Sequence, residues 1–435
     1  MTLMNLRKTL RRTFAVRIAF LVWGFVATQQ SPLSAEDAPV LKMPAAVVPL
    51  HVAVPLPDGA TAAPQAGWQL VEIDNTDLTV PVQLANGPQA DGTSTTTQRL
   101  LIATIPPRKD APPQRRFRLQ PTQTAPKPAF QFKPENEISL RLSQGKKPIL
   151  TYNHGIVTDE SVPAKDSRRS RACYIHPVWG LDGEIMTGDF PKDHYHHHGI
   201  FWAWPYVGVG GKDYDMWEYR NIQPKFVKWL HRAAGAEAAV LAVENGWFVG
   251  QKKIMIERLW IRVHKALDDQ RSIDLHFTWI PVDEPVSLRG RGTKSYGGLT
   301  MRFDVHPRRD GVVTTERGTV HHVGNSMASK TDLVNAELPW ADLTSRFPDS
   351  KGKSGASVFI APTHPNYPPS WLTRCYGCLC VGWPGVKAQT FLPGKPIRAS
   401  YRIWVHKSAL DAERGNQAYA GFAAATRATW ERKTP

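Results

Sequence analysis

Asp193-His194-Tyr195-His196-His197-His198 places four imidazoles within five positions, directly after a carboxylate. Imidazole titrates near neutrality, so two of them across a substrate can take and return a proton. It is also a common ligand for divalent metals, and three protein ligands with one open position form a catalytic metal arrangement. On an extended strand, alternation sends His194, His196 and His198 to one face and His197 to the other. That spacing supports a divalent-metal triad of His194, His196 and His198, with Asp189, Asp193 or Glu218 as nearby carboxylates. It equally supports an acid/base pair of His194 and His196, with Asp193 orienting one ring and no cofactor required. A polar loop of hydrogen-bonded histidines is the third reading, and spacing alone leaves all three open.

Aromatic residues crowd the next stretch: Phe201, Trp202, Trp204, Tyr206, Tyr214, Trp217 and Tyr219. Flat rings with one polar edge suit stacking on sugar rings at a wet cleft, and they equally suit a core. The run "DYDMWEYRN" is too polar for a core strand, so Trp217 and Glu218 are cleft candidates, with Trp204 as a second sugar platform. His176, His306, His321, His322 and His364 sit beside turn-forming residues, in loops that can converge at one end of a sandwich. Of these, His176 and His364 are the substrate-binding candidates.

The elements that must position these groups are strands. Residues 36–104 read as short β segments separated by turns such as Pro57-Asp58-Gly59, a small N-terminal β domain. The Pro-rich, basic residues 105–135 read as a linker or extended edge, unable to hold a central strand. From 136 to 410 the β pattern continues. "EISLRLSQGKKPILTYN" forms a hairpin, "SIDLHFTWIPV" alternates with Ile273, Leu275, Phe277 and Trp279 on one side, and "QKKIMIERLWIRVH" is its partner. Only residues 411–435 read as a helix. The expected fold class is all-β: a large antiparallel β-sandwich, with the supersandwich of aldose mutarotases as an analogue, plus the small β domain and a C-terminal helix.

Residues 1–35 read as an export signal, with a basic start (Arg7, Lys8, Arg11, Arg12, Arg17), an apolar run too short to span a bilayer, and a small-residue cleavage site. The expected location is therefore periplasmic or extracellular, with envelope anchoring if the signal is retained. Beyond residue 35 no run of apolar residues is long enough for a transmembrane helix. Removing the five basic residues of the signal from the formal +16 leaves +11. Such a charge suits an acidic polysaccharide, an anionic envelope or nucleic acid. Export and the lack of any nucleic-acid motif exclude the last. Cys173, Cys375, Cys378 and Cys380 are too few for a disulfide framework, and read as buried small residues or one local disulfide rather than a zinc or redox site.

Four stretches, "YIHPVWGLDGEIMTGDFPKDHYHHHGIFWAW", "SYGGLTMRF", "VFIAPTHPNYPPSWLTRCYG" and "FLPGKPIRASYRIWVH", occur in an order that resembles the PmoA-like family, a family of exported bacterial proteins without established function. The resemblance covers roughly residues 140–410. Its Asp-His-x-His-His signature falls on Asp193, His194, His196 and His197, its Gly-rich segment on Tyr296, Gly297, Gly298 and Arg302, and its His-Pro segment on His364, Pro365 and Asn366. The next position, often Arg in that family, is His198 here. The family's methane-oxygenase label does not fit a chain with no spanning segment. The company its members keep with sugar-degrading enzymes implies a carbohydrate partner. The expectation is thus an exported carbohydrate-active enzyme of epimerase, lyase or glycosidase type, with an acidic polysaccharide among its candidate substrates. His194, His196 and Asp193 would do the proton chemistry, Glu218 would be a second carboxylate and Arg302 a charge stabiliser. The rivals are a metal-dependent enzyme and a non-catalytic glycan-binding or envelope protein.

Overall fold

The structure is a computed structural model that describes residues 38–57, 67–89, 97–123, 126–305, 310–324, 326 and 328–431. The expected export signal lies outside these residues, as does His306.

Period-two patterning builds the body of the molecule. In the strand Gln270–Pro281, Ile273, Leu275, Phe277 and Trp279 turn inward and are almost wholly buried. This strand pairs antiparallel with Lys252–His264 on one side and Ile397–Lys407 on the other. Together they form the centre of a nine-stranded sheet, here the back sheet. A second nine-stranded sheet, the front sheet, contains the expected hairpin of Ser139–Gln144 and Lys147–Asn153, and the strands Tyr174–Val178, Ile200–Ala203, Gly298–Arg302, Ser370–Arg374 and Cys378–Gly382. The inner faces of the two sheets share one continuous apolar core. Buried within it, a single oxygen of Glu257 on the back sheet accepts three indole N–H groups: Trp202 from the front sheet at 2.7 Å, Trp247 at 2.8 Å and Trp279 at 3.1 Å. Burial raises the Glu257 carboxyl, and these donors together with Asn245 pull it back.

Much of the outer face of the back sheet is covered. A seven-stranded sheet, six strands from residues 40–121 and a seventh from Thr429–Trp430, lies over it, with Ala85, Leu100 and Ile102 packed against Ala238, Val240, Ala242 and Trp260. The polar side of the strand Gln270–Pro281 therefore becomes a buried ionic cluster. Asp274 accepts two bonds from Arg402, at 2.6 and 3.0 Å, and lies 2.8 Å from His264 Nε2, whose ring stacks on His51 of the cap.

Two expected boundaries are corrected. The strand Gln114–Pro121, inside the expected linker, is central in the cap sheet, between Trp68–Glu72 and Val40–Pro44. The prolines flank its alternating run, with Pro112 and Pro113 just before it and Pro121 at its end, so "RRFRLQ" alternates freely, with Phe117 and Leu119 buried and Arg115 paired to buried Glu72. The helix is shorter than 411–435. It runs Ala412–Ala425, capped by the Asp411 carboxylate accepting from Arg414 N at 2.8 Å, and the chain then returns as the strand Thr429–Trp430 beside Leu41 and Lys42. No helix of the described residues is long and apolar enough to cross a membrane.

Candidate functional site

The histidine segment is not a strand. Pro191 O accepts from His194 N at 2.8 Å and His194 O accepts from His197 N at 2.9 Å, so two consecutive turns run from Pro191 to His197. Regular alternation is lost, and His194, His196 and His197 all line one cavity of about 340 Å³ on the outer face of the front sheet. His198 goes elsewhere. It forms a bridge with Asp189, its ring buried between Tyr174, Phe190 and Phe201. Next to it Gly199 has φ +29°, and a Cβ there would lie 2.1 Å from Ile175 O, so only glycine lets the turn settle against the sheet.

The floor of the cavity is set by cross-strand pairs. Directly opposed residues of antiparallel strands share a face, so Phe201 stands with Thr300 and Cys380 on the site side. Trp202 and Leu299 turn into the core. Trp217, almost fully buried, packs on Phe201 with ring centroids 5.2 Å apart and on Tyr296 at 4.9 Å. Tyr376 stacks on His194 at 4.4 Å, and His194 stacks on His197 at 4.6 Å with the planes 9° apart. Glu218, Lys294 and Arg374 complete the polar wall.

Arg302 is the electrostatic hinge. Only 1 % exposed, it donates from Nη2 to both oxygens of Asp193 at 2.9 Å and from Nη1 to His197 Nδ1 at 3.3 Å, with its guanidinium 4.8 Å from the Tyr376 ring centre. An arginine can only donate, so His197 Nδ1 is an acceptor and its proton sits on Nε2. Burial alone would raise the Asp193 carboxyl, but His194 and Arg302 hold it well below the usual carboxylate range. His194 Nδ1 lies 3.3 Å from Asp193 Oδ2, an electrostatic contact rather than an aligned hydrogen bond.

Desolvation keeps the other imidazoles neutral. His196 is pushed down to about 2 by burial and then by charge on its histidine neighbours, and its buried Nδ1 has no protein partner. His197 is likewise held well below 6.5. His196 and His197 therefore stay unprotonated near neutral pH, which keeps a lone pair available at the cost of base strength, and His197 offers a fixed N–H donor beside His196.

A family model described as a family of unknown function, DUF6807, matches residues 139–420. The chain belongs to DUF6807. The match starts at the first strand of the front-sheet hairpin and takes in every wall of the cavity. No curated protein matches the chain.

Within this DUF6807 site, several expected residues stand elsewhere. Trp204 is a core residue, fully buried against Trp247 and Trp383, with its indole N–H on Trp383 O at 2.6 Å. His364 is buried away from the cavity, bonded to Tyr401 OH at 3.1 Å and accepting from Asn366 N. His176 shares a bond with Thr187 Oγ1 at 3.0 Å and does not line the cavity. Arg302 acts on its neighbours and not as a free cation facing a ligand. His321 and His322 lie on the strand Gly318–His322, at the far edge of the back sheet. The alternative metal triad is not assembled, because His198 Nδ1 is 2.8 Å from Asp189 Oδ1 and its ring is sealed off. Among the described residues, no three His, Cys, Asp or Glu side chains are grouped to hold a metal ion. The four cysteines are free thiols, and burial raises Cys378 and Cys380 at the cavity floor.

Sequence reasoning missed Tyr376, Lys294 and Arg374. Tyr376 hid inside a Cys-x-x-Cys spacing that drew attention to sulfur. Lys294 sits in the Gly/Arg-rich "RGRGTKSYGG", a loop signal with nothing in it to say which cavity it overhangs.

Proposed function

We propose that the cavity is the active site of an exported carbohydrate-active enzyme that moves protons between histidines and a sugar, in line with the sequence resemblance to PmoA-like proteins. The observation that carries this reading is the pair of turns that gathers three imidazoles, two of them held neutral, inside walls of Trp217, Tyr296 and Tyr376. Aromatic walls suit a sugar ring, and neutral imidazole suits abstraction of a carbon-bound proton beside a carbonyl or carboxylate. In this scheme His196 accepts the proton. His194, edge-on to it with ring centroids 5.5 Å apart, stands on the same side of the sugar and gives one back to a departing oxygen. That outcome is β-elimination; epimerisation would need a donor on the opposite face, where Tyr296 is the candidate. His197 Nε2–H stabilises the oxyanion that develops between the two steps. Glycoside cleavage is the weaker option, since it uses two flanking carboxylates and Glu218 is the carboxylate that lines this cavity. Exposed Lys294 at the wall favours an acidic sugar.

The test is turnover of uronate-containing polysaccharides, followed by ultraviolet absorbance of the unsaturated product, and of free uronates for epimerisation. His196→Gln should lower kcat by about 10²- to 10⁴-fold with the fold intact. Full activity in that variant would remove His196 from the chemistry.

A further inference from the structure

A second cavity, of about 410 Å³, lies on the same outer face of the front sheet. Strand register fixes its relation to the first. Between Ser370–Arg374 and Cys378–Gly382 the opposed pairs on the site face are Arg374 with Cys378, Leu372 with Cys380, and Ser370 with Gly382. Trp371 and Val381, between them, turn into the core. The first two pairs line the histidine cavity and the third lines the second cavity. The step is two residues, roughly 7 Å along the strands, a spacing comparable with that of successive rings in a glycan chain. One turn overhangs both cavities, with Lys294 and Tyr296 facing the first and Ser295 the second. A Cβ on Gly382 would lie 2.6 Å from Ser295 O, so the glycine allows that turn to rest directly on the sheet between the two hollows.

The lining of the second cavity alternates amides and hydroxyls with flat hydrocarbon, and Glu337 adds one carboxylate. Asn366 Oδ1 accepts from Trp383 Nε1 at 2.8 Å and from Gln389 Nε2 at 3.3 Å, which fixes both amides in place. Ser370 Oγ stands beside them and Pro368 supplies an apolar surface. Exposed Lys387 stands at the rim. This is the chemistry of a hydroxyl-rich ring rather than of an apolar or polyanionic ligand.

We propose that this cavity is an extension subsite, holding the neighbouring saccharide unit of an oligomeric or polymeric glycan whose reacting unit sits among His194, His196 and His197. The inference rests on the sugar reading of the first cavity. The enzyme would then act on chains and bind them more tightly as they lengthen, because a second ring adds contacts without a second association cost.

Calorimetric titration of the full chain with neutral and uronic-acid oligosaccharides, monomer through hexamer, tests it. Wild-type affinity should rise by about tenfold from monomer to trimer for the preferred series. The double variant Lys387→Ala/Gln389→Ala should keep the monomer affinity and lose that rise, with the single variant Lys387→Ala, wholly at the surface, losing part of it. An unaltered rise in the double variant, or equal wild-type affinity for monomer and hexamer, overturns the subsite while leaving the sugar reading standing. Failure of the wild type to bind any member of either series overturns the sugar reading and the subsite together.

Discussion

Arg302 serves three neighbours at once: it neutralises Asp193, fixes the tautomer of His197 and lies against Tyr376. A lysine in its place keeps the charge but presents one point donor where the guanidinium presents a fork. Arg302→Lys should therefore lower kcat by roughly tenfold, the worth of about one hydrogen bond, with little change in KM, because the loss falls on His197 rather than on ligand contacts. An equal rise in KM would show that Arg302 touches the substrate. The rate should also hold as pH falls below 6.5, since His196, pushed down to about 2 by burial, stays unprotonated there. A kcat that falls with an apparent pKa near 6.5 would mean a different base. The cluster as a candidate was legible in the sequence, because no other stretch concentrates so many imidazoles. Which aromatics faced it was not. Trp217 stood out by its polar surroundings, but Trp202 and Trp204 carried no mark of their side until the ladder put Phe201 on the cavity face and Trp202 in the core, with Trp204 buried beyond it.

At the scale of elements, the site depends on a short segment that abandons strand geometry between two bridged residues, Asp189 and His198. Gly199 closes that segment, and Gly199→Ala should destabilise the protein by about 1–3 kcal/mol through the strained backbone alone, more if Ile175 cannot move. Denaturant unfolding measures this, and a midpoint unchanged from wild type would show that the turn is not held as described. Strands such as Gln270–Pro281 were readable because one buried face imposes a period of two. The histidines mimic that period by chance of spacing while Pro191 turns the chain. The strand Gln114–Pro121 was obscured the other way, since the prolines that flank its alternating run coloured the whole stretch.

At the scale of the whole molecule, buried imidazoles tie stability to pH. His51, His264 and His276 beneath the cap, His196 and His197 at the cavity, and His198 sealed off beside it, are all depressed below 6.5, chiefly by desolvation; His264 sits at about 4 and His276 at about 3. The unfolded chain binds protons at these positions that the folded chain refuses, so their contribution is complete above 6.5 and is lost as pH falls toward the folded values. Asp189, raised to about 6 by burial, works in the opposite sense, with stability lost as pH rises through 6. Asp215, Glu237 and Glu257 are raised by burial as well, and His154, His176, His231 and His364 are also depressed, so ten histidines outweigh four carboxyls and the melting temperature should fall between pH 7 and pH 5. A melting temperature that holds or rises would mean the cap admits water to Arg262, Asp274 and Arg402 around those rings. The sandwich itself was legible from composition and patterning. Burial of the polar side of the back sheet was not, because Asp274 and His276 alternate as an exposed face would.

The cap sheet has a consequence for anyone choosing where to cut this gene. Its strands Val40–Pro44 and Thr429–Trp430 come from opposite ends of the described chain and zip together, while the DUF6807 match begins at 139 and stops at 420. Expression of 139–420 alone would strip the lid from Trp260, Asp274 and Arg402 and leave an apolar, charged sheet face naked in water. Such a fragment should come out aggregated even though every residue of the histidine cavity is present. The boundary of the homologous segment is not a boundary of folding.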